Sequence, residues 1–527
     1  MKQINEANRF IHGAFILTVT TVIVKIIGFL FTIPLANLLG ADGMGYFYSS
    51  YDIYNMLTVL ATAGLPVAVS RMISEAAEKK QSANISRIYK IALISFSAVG
   101  LVISLMMFFG ADQWSAFIKN PNASLAIRAL SITSFFAFVM SALRGYFQGH
   151  SDMIPTAVSQ VIEAMSKLVI GCTLAYYVMK ISGDFMIGAA SAILGVSIGA
   201  VLATVLLLFY KRRYNKNYYN DITDEVTRTD KDILIELVKI SIPIALGASV
   251  MSIVNFFDMT LIMRQLQDTL GYTGERANWL YGTYGNAKKI FNLPAAFIIP
   301  FSVSIIPALT SAITRDDKEQ IKNNLVSVFK YPMMISFPAG FGLMTLAYPI
   351  LSIIYFSRPD EVEAGTPLLA ILGFAVILNS IVVITNAILQ SYKKVNFSMF
   401  AMIVGAVFKL LLNWGLIGIE SVNIMGAPIA TCACYAVIAV MNILYLRKLI
   451  PPKSRVLKNL ALIALASGIM GGCAYGLYNI TERFINAKIA CVLTIMIAAL
   501  IYFVCIILFK VVTKAEILSM LSRKKKA

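Results

Sequence analysis

The sequence predicts an all-α integral membrane protein of about fourteen transmembrane helices: two six-helix lobes related by a parallel pseudo-repeat, plus two C-terminal helices. Three observations predict it. The composition is too apolar for a water-soluble core, apolar windows of about 20 residues recur along the whole chain, and paired landmarks appear in the same order in two halves. Of 527 residues, 58% are hydrophobic and only 14% charged, which is more apolar surface than a folded interior can hide from water. The 16 prolines and 32 glycines fall largely inside the apolar runs. Neighbouring helices and cavity water can satisfy backbone groups freed there, so this composition suits bent helices that move.

Taken in order, a polar stretch from Met1 to Arg9 leads into an apolar one from Phe10 to about Leu39. That stretch is too long for a signal-peptide core and is expected to remain as the first span. Further spans centre near Leu60, Ser97, Phe136, Leu168, Gly199, Val250, Ile298, Ser336, Val376, Val404, Val437, Ile469 and Ala498. With the N-terminus in the cytoplasm, most of the 45 Lys and Arg fall in cytoplasmic segments, including the loop from Lys211 to Lys239 and the tail Arg523, Lys524, Lys525, Lys526. The external loops near Asp42, Lys119, Asp184, Asp360 and Glu420 are short and weakly charged. The positive-inside rule therefore predicts both termini on the cytoplasmic side of the cell membrane.

The long basic loop separates six spans from eight, and the two halves share landmarks. Gln148 precedes Lys167-Leu168 by 19 residues, and Gln390 precedes Lys409-Leu410 by the same 19. Pro66 and Pro300 precede charged turns, and Gly188-Ala189 and Gly426-Ala427 open the sixth and twelfth spans. An even number of spans makes the repeat parallel, with its axis along the membrane normal; such lobes are expected to flank a central cavity. The predicted domains are residues 1–233 (six spans and a cytoplasmic linker), 234–450 (six spans), and 451–527 (two spans and a basic tail).

The formal charge of +18 does not indicate nucleic acid, because the basic residues lie in short loops between spans rather than in one aromatic-interleaved patch. Cys172, Cys432, Cys434, Cys473, Cys491 and Cys505 fall within apolar spans without metal-site spacing and read as small buried hydrophobes. No metal or cofactor is predicted. An enzyme finds no support: His12 and His150 are far apart, and neither has a nucleophile or metal cluster in sequence reach. Asp230-Lys231-Asp232 resembles a nucleotide-sugar metal motif, but Thr229 and Asp230 more simply cap the lead-in to the seventh span.

Embedded charges carry the information, because one at mid-bilayer costs about 2.5–3.5 kcal/mol unless it faces water, a partner or a substrate. Lys25 lies deep in the first span with no acid within four residues. It reads as a cavity cation for an anionic ligand, with snorkelling or a pair on another helix as the alternative. Lys288 and Lys289 point about 100° apart on the eighth span, so at least one is expected to face inward unless the two form an outer-leaflet anchor. Pro294, Pro300 and Pro307 follow and should bend that helix. Asp52, among Tyr46, Tyr48, Tyr51 and Tyr54, is a candidate counter-ion to Lys25 or Lys289, with the tyrosines read first as an outer aromatic belt and second as a sugar-stacking wall. Asp258 is the parallel case in the second lobe. Glu163 and Lys167, four apart with the acid first, are expected to form a structural ion pair. Lys409 has no acid nearby in sequence.

Arg144-Gly-Tyr-Phe-Gln-Gly149, Ala63-Gly-Leu-Pro-Val-Ala-Val-Ser-Arg71, Tyr284-Gly-Asn-Ala-Lys-Lys-Ile-Phe-Asn-Leu-Pro294 and the six-plus-six-plus-two layout together resemble the polysaccharide-export branch of the MOP exporter superfamily. The members nearest in pattern are those like stage V sporulation protein B and the MurJ-type lipid II flippases. The resemblance implies two lobes that open a cationic cavity alternately to each side. It also implies a partner, an undecaprenyl-pyrophosphate-linked sugar, moved outward. By that resemblance Lys25 in Lys25-Ile-Ile-Gly-Phe29 and Lys289 meet the pyrophosphate. Phe31 stands where the first span of that group has a second cation, and Asp52 stands where its second span has cations. The alternative is a MATE-type antiporter for cationic drugs, disfavoured by a first span carrying Lys25 and no acid.

Overall fold

The computed structural model describes residues 2–79, 81–218, 228–449 and 454–512. The tail cations Arg523 to Lys526 and residues 219–227 of the long loop lie outside them. Among the described residues the chain is helical throughout, with no strands. It falls into two compact units, Met1–Gly285 and Asn286–Ala527.

The first unit opens with α1 (Lys2–Val59), whose apolar part, Phe15–Val59, runs for 45 residues. At 1.5 Å per residue that is about 68 Å, roughly twice the hydrocarbon thickness, so it amounts to two crossings. The break is Gly40, at φ 62° and ψ −176°, a conformation that only glycine adopts without strain. A π turn at Leu60–Gly64 leads into α2 (Leu65–Glu78), with Pro66 in its first turn where no amide donor is needed. Next come α3 (Ser82–Phe109), α4 (Ala111–Phe117) and α5 (Ser124–Gly149). The fifth span is α6 (Ile154–Ser166), a π turn at Lys167–Gly171, and α7 (Cys172–Ser182); α8 (Phe185–Tyr218) and α9 (Asp230–Arg264) complete the unit with the start of α10 (Gly274–Thr314).

Two of the motif segments pack on each other here. A Cβ on Gly145 would come within 2.7 Å of Val69 Cβ and 2.9 Å of the Pro66 carbonyl, and one on Gly149 within 2.7 Å of Ile73 Cβ. Only glycine lets α5 approach α2 so closely. Around this crossing Leu65, Val69, Ile73, Ile88, Phe138, Leu143 and Phe147 form one core, which α9 joins through Ile233 and Leu237. Arg87 pairs with Asp230 at the start of α9. Thr229 accepts from the Asp232 amide, as expected of a cap, and its hydroxyl donates to the Asp232 carboxylate at 2.6 Å. Asp230 and Asp232 thus serve an ion pair and a helix start.

In the second unit the rest of α10 is followed by α11 (Lys318–Thr345), α12 (Ala347–Ile354), α13 (Pro359–Ser391), α14 (Val395–Ile417), α15 (Gly426–Leu449), α16 (Ser454–Thr481) and α17 (Ala487–Leu508). Gly340 of α11 and Gly373 of α13 face each other's carbonyl oxygens, and Gly405 of α14 lies against Ile438 of α15. The two C-terminal helices are part of this unit's core: Ile463, Ala466 and Ile506 pack with Leu325, Ile384 and Leu446, and Tyr502 donates to the Met334 carbonyl at 2.9 Å. A buried amide network ties α13, α14 and α15, with Asn442 donating to Thr385 at 3.0 Å and Asn386 at 2.8 Å, and Ser398 donating to Asn386 at 2.7 Å. In hydrocarbon such groups must satisfy one another.

Eleven described helices are long and apolar enough to cross a membrane, or twelve if α11 and α12, bent by 83°, count as one span. Phe15–Val59 counts once in that number, although its length across the Gly40 kink suits two crossings. The chain is a multi-pass membrane protein.

Candidate functional site

Lys25 sits on α1 among small and polar residues. At 100° per residue Thr18, Thr21, Lys25, Gly28 and Thr32 share one strip, whereas the exposed Val19, Ile23, Ile26 and Leu30 share another and Ile27, Phe31 and Leu35 turn inward. The strip's hydroxyls bond back along the helix, Thr21 to the Leu17 carbonyl at 2.8 Å and Thr32 to the Gly28 carbonyl at 3.0 Å. Lys25 is exposed within the first unit and forms no ion pair among the described residues. The helix therefore separates an apolar exposed face from a polar one that carries the cation.

Across the kink, the second half of α1 meets the start of α10 almost backbone to backbone. A Cβ on Gly282 would lie 2.8 Å from the Ala41 carbonyl carbon, and one on Gly285 would run into the Tyr48 ring. Asn278 donates to the Asp42 carbonyl at 2.7 Å and accepts from Asn120 at 2.8 Å, and Lys119 pairs with Asp268. This contact carries Tyr281 to Asp52, with the phenol donating to Oδ2 at 2.5 Å. Asp258 of α9, 2% exposed, lies within electrostatic range of the same phenol. The structure thus brings Asp52 to Tyr281, a residue 229 positions away and invisible to sequence spacing. Tyr46 and Tyr48 are each 6% exposed, so the outer-belt reading is corrected: these rings pack inside the unit.

Glu163, the acid expected to pair with Lys167, has an arginine partner. Glu163 accepts from Arg144 of α5 at 3.1 Å, and Arg144 also donates to Ser159 at 3.1 Å. Lys167 opens a π turn that runs to Gly171. Its ammonium lies over three ring faces, 4.8 Å from the centroid of Phe31, 5.4 Å from Phe47 and 4.6 Å from Tyr51.

In the second unit Lys288 and Lys289 are both half-buried on α10, beside Asn286, whose carbonyl accepts from Tyr355 at 3.3 Å. Lys409 is buried in α14, at 6% exposure, one turn before the fully buried Asn413. Lys330 of α11 is equally buried, and sequence reasoning does not single it out. Its one signal is position, twelve residues after the start of α11 and between Phe329 and Tyr331. Outside the spans, His150 holds its ring 4.6 Å from Tyr146 and bonds that residue's carbonyl at 2.8 Å; burial keeps its imidazole below the ordinary value of 6.5. Among the described residues no cluster of three His, Cys, Asp or Glu could hold a metal ion.

A family profile described as polysaccharide biosynthesis protein matches residues 10–313, and one described as MatE matches 282–415. The chain belongs to the polysaccharide biosynthesis protein family. Among the relatives matched are proteins named as flippases. The chain is 24% identical over 479 residues to the lipid II flippase MurJ of Bacillus subtilis (strain 168), covering 88% of each chain. It is 22% identical over 520 residues to stage V sporulation protein B of the same organism, covering 96% of this chain and 97% of the relative. In fold it resembles a solved lipid II flippase MurJ in an inward closed conformation, with TM-score 0.70 and 16% identity over 93% of this chain and 98% of the other.

Proposed function

We propose that this family member is a flippase for a lipid-linked, pyrophosphate-bearing glycan precursor, such as lipid II or a related polysaccharide intermediate, moved outward across the cytoplasmic membrane by alternating access. The observation that carries the reading is Lys25, a lone exposed cation on the polar strip of α1 in a family that handles polysaccharide precursors. A pyrophosphate seeks cations where water is scarce, since charge-assisted hydrogen bonds strengthen as the local dielectric falls. Lys25 in the first unit and Lys289, with Lys288, in the second are the cations proposed to meet it. Lysine supplies point charge without a bidentate fork, which suits a ligand that must leave again. Asp52 and Asp258 are proposed to set the local potential through Tyr281, and both termini to lie in the cytoplasm.

The test is to deplete the native protein and express Lys25→Ala/Lys289→Ala in its place. We expect lipid-linked precursor to accumulate on the cytoplasmic side to at least about tenfold the rescued level, the loss from one or two charge-assisted contacts. Full rescue by the double variant overturns the reading. A MATE-type antiporter is the second reading, favoured by the MatE match over 282–415. A several-fold fall in sensitivity to cationic dyes on expression would put it first.

A further inference from the structure

We propose that Lys167 is a tethered ammonium ion seated in an aromatic cation box made by Phe31, Phe47 and Tyr51, and that its presence closes this box to free organic cations. The inference is independent of the substrate proposed above, because it concerns what the first unit refuses. Three ring faces lie within 5.4 Å of one ammonium nitrogen. Their mutual geometry makes the box: Phe31 and Phe47 have centroids 5.8 Å apart at 45°, and Phe47 and Tyr51 4.7 Å apart at 33°. Phe31 and Phe47 are 1% and 2% exposed, so their own packing holds the faces in place.

Such an arrangement attracts cations in general, because each ring presents the negative face of its quadrupole, and cages of this kind bind alkylammonium ligands. The chain supplies the cation itself, on a flexible stem from the π turn at Lys167–Gly171. A free ammonium ligand would have to displace a tethered one of the same chemistry at high effective concentration, a contest it loses. Shortening Lys167 to Ala removes the equivalent of n-propylammonium and leaves a cavity of that shape. The class of ligand the emptied box would take is therefore a small primary or quaternary alkylammonium.

The experiment uses full-length wild type, Lys167→Ala and Lys167→Met in detergent, with thermal unfolding followed against n-propylammonium chloride and against n-propanol at matched ionic strength. We expect Lys167→Ala to gain melting temperature with the amine, with an apparent affinity at least about fivefold that for the alcohol, by preferential binding to the folded state. Wild type and Lys167→Met, whose boxes are filled, should not respond. Equal effects of amine and alcohol on Lys167→Ala, no effect of either, or an amine response in wild type or Lys167→Met overturns the proposal. If Lys167→Ala is not recovered folded, the additives are supplied during expression and solubilisation. Recovery with the amine alone then supports the box, and recovery with both or with neither overturns it.

Discussion

Lys167 and Lys409 stand at matching points of the repeat, each 19 residues after a glutamine, yet the two units surround them differently. Lys167 is half-buried on a π turn with its ammonium against three rings. Lys409 lies on the regular helix α14 at 6% exposure, with Asn413 in the next turn. The contrast teaches that a matching sequence position leaves the neighbours of a charge to the helices packed against it. Those neighbours come from side chains tens or hundreds of positions away.

Exchanging the two residues for neutral ones tests that contrast most directly. Truncating a buried long side chain to Ala leaves a cavity that costs about 2–5 kcal/mol, so Lys409→Ala should be poorly recovered or melt far below wild type. Lys167→Ala gives up cation–π contacts, worth about 0.5–2 kcal/mol each and partly redundant, and should fall less in the same melting assay. If the order is reversed, the distinction between an enclosed lysine and a boxed one fails. A middle-sized effect belongs to the Asp52 contact. Tyr281→Phe deletes a hydrogen bond to a charged acceptor, about 1.5–3 kcal/mol, whereas Asp52→Asn keeps an acceptor and should cost less; equal losses in the two melting curves would show that the bond is not the source.

The smallest effect is set by His150. Its native pKa lies below the unfolded value, so the unfolded chain binds more protons as pH falls through about 6.5, and native stability declines in that direction. Melting curves of wild type and His150→Gln between about pH 7.5 and 5.5 should diverge at the acid end, with the variant less sensitive to pH. Parallel curves would remove His150 from the account.

Much of the fold was legible because membrane helices announce themselves by long apolar windows and loop charge, both local properties. The Ala63–Arg71 and Arg144–Gly149 segments were recognisable as strings, though their contact, with Gly145 and Gly149 against Val69 and Ile73, was not. Among the charges, Lys25 was visible as a lone cation in an apolar span. The Arg144–Glu163 contact escaped spacing arguments because it joins two helices, 19 positions apart in sequence. The tyrosines near Asp52 were misread because a belt and an internal wall share a composition and differ only in which way the helix faces.

By itself, then, the sequence determined that the chain must live in a bilayer and roughly where its long apolar helices run, because these follow from hydrophobicity counted along one dimension. Tertiary structure alone decided that Tyr281 binds Asp52, that Arg144 takes Glu163 and that three rings enclose Lys167. The physical reason is that an embedded charge must find a partner somewhere, and which partner it finds depends on distances between helices that no spacing along the chain records.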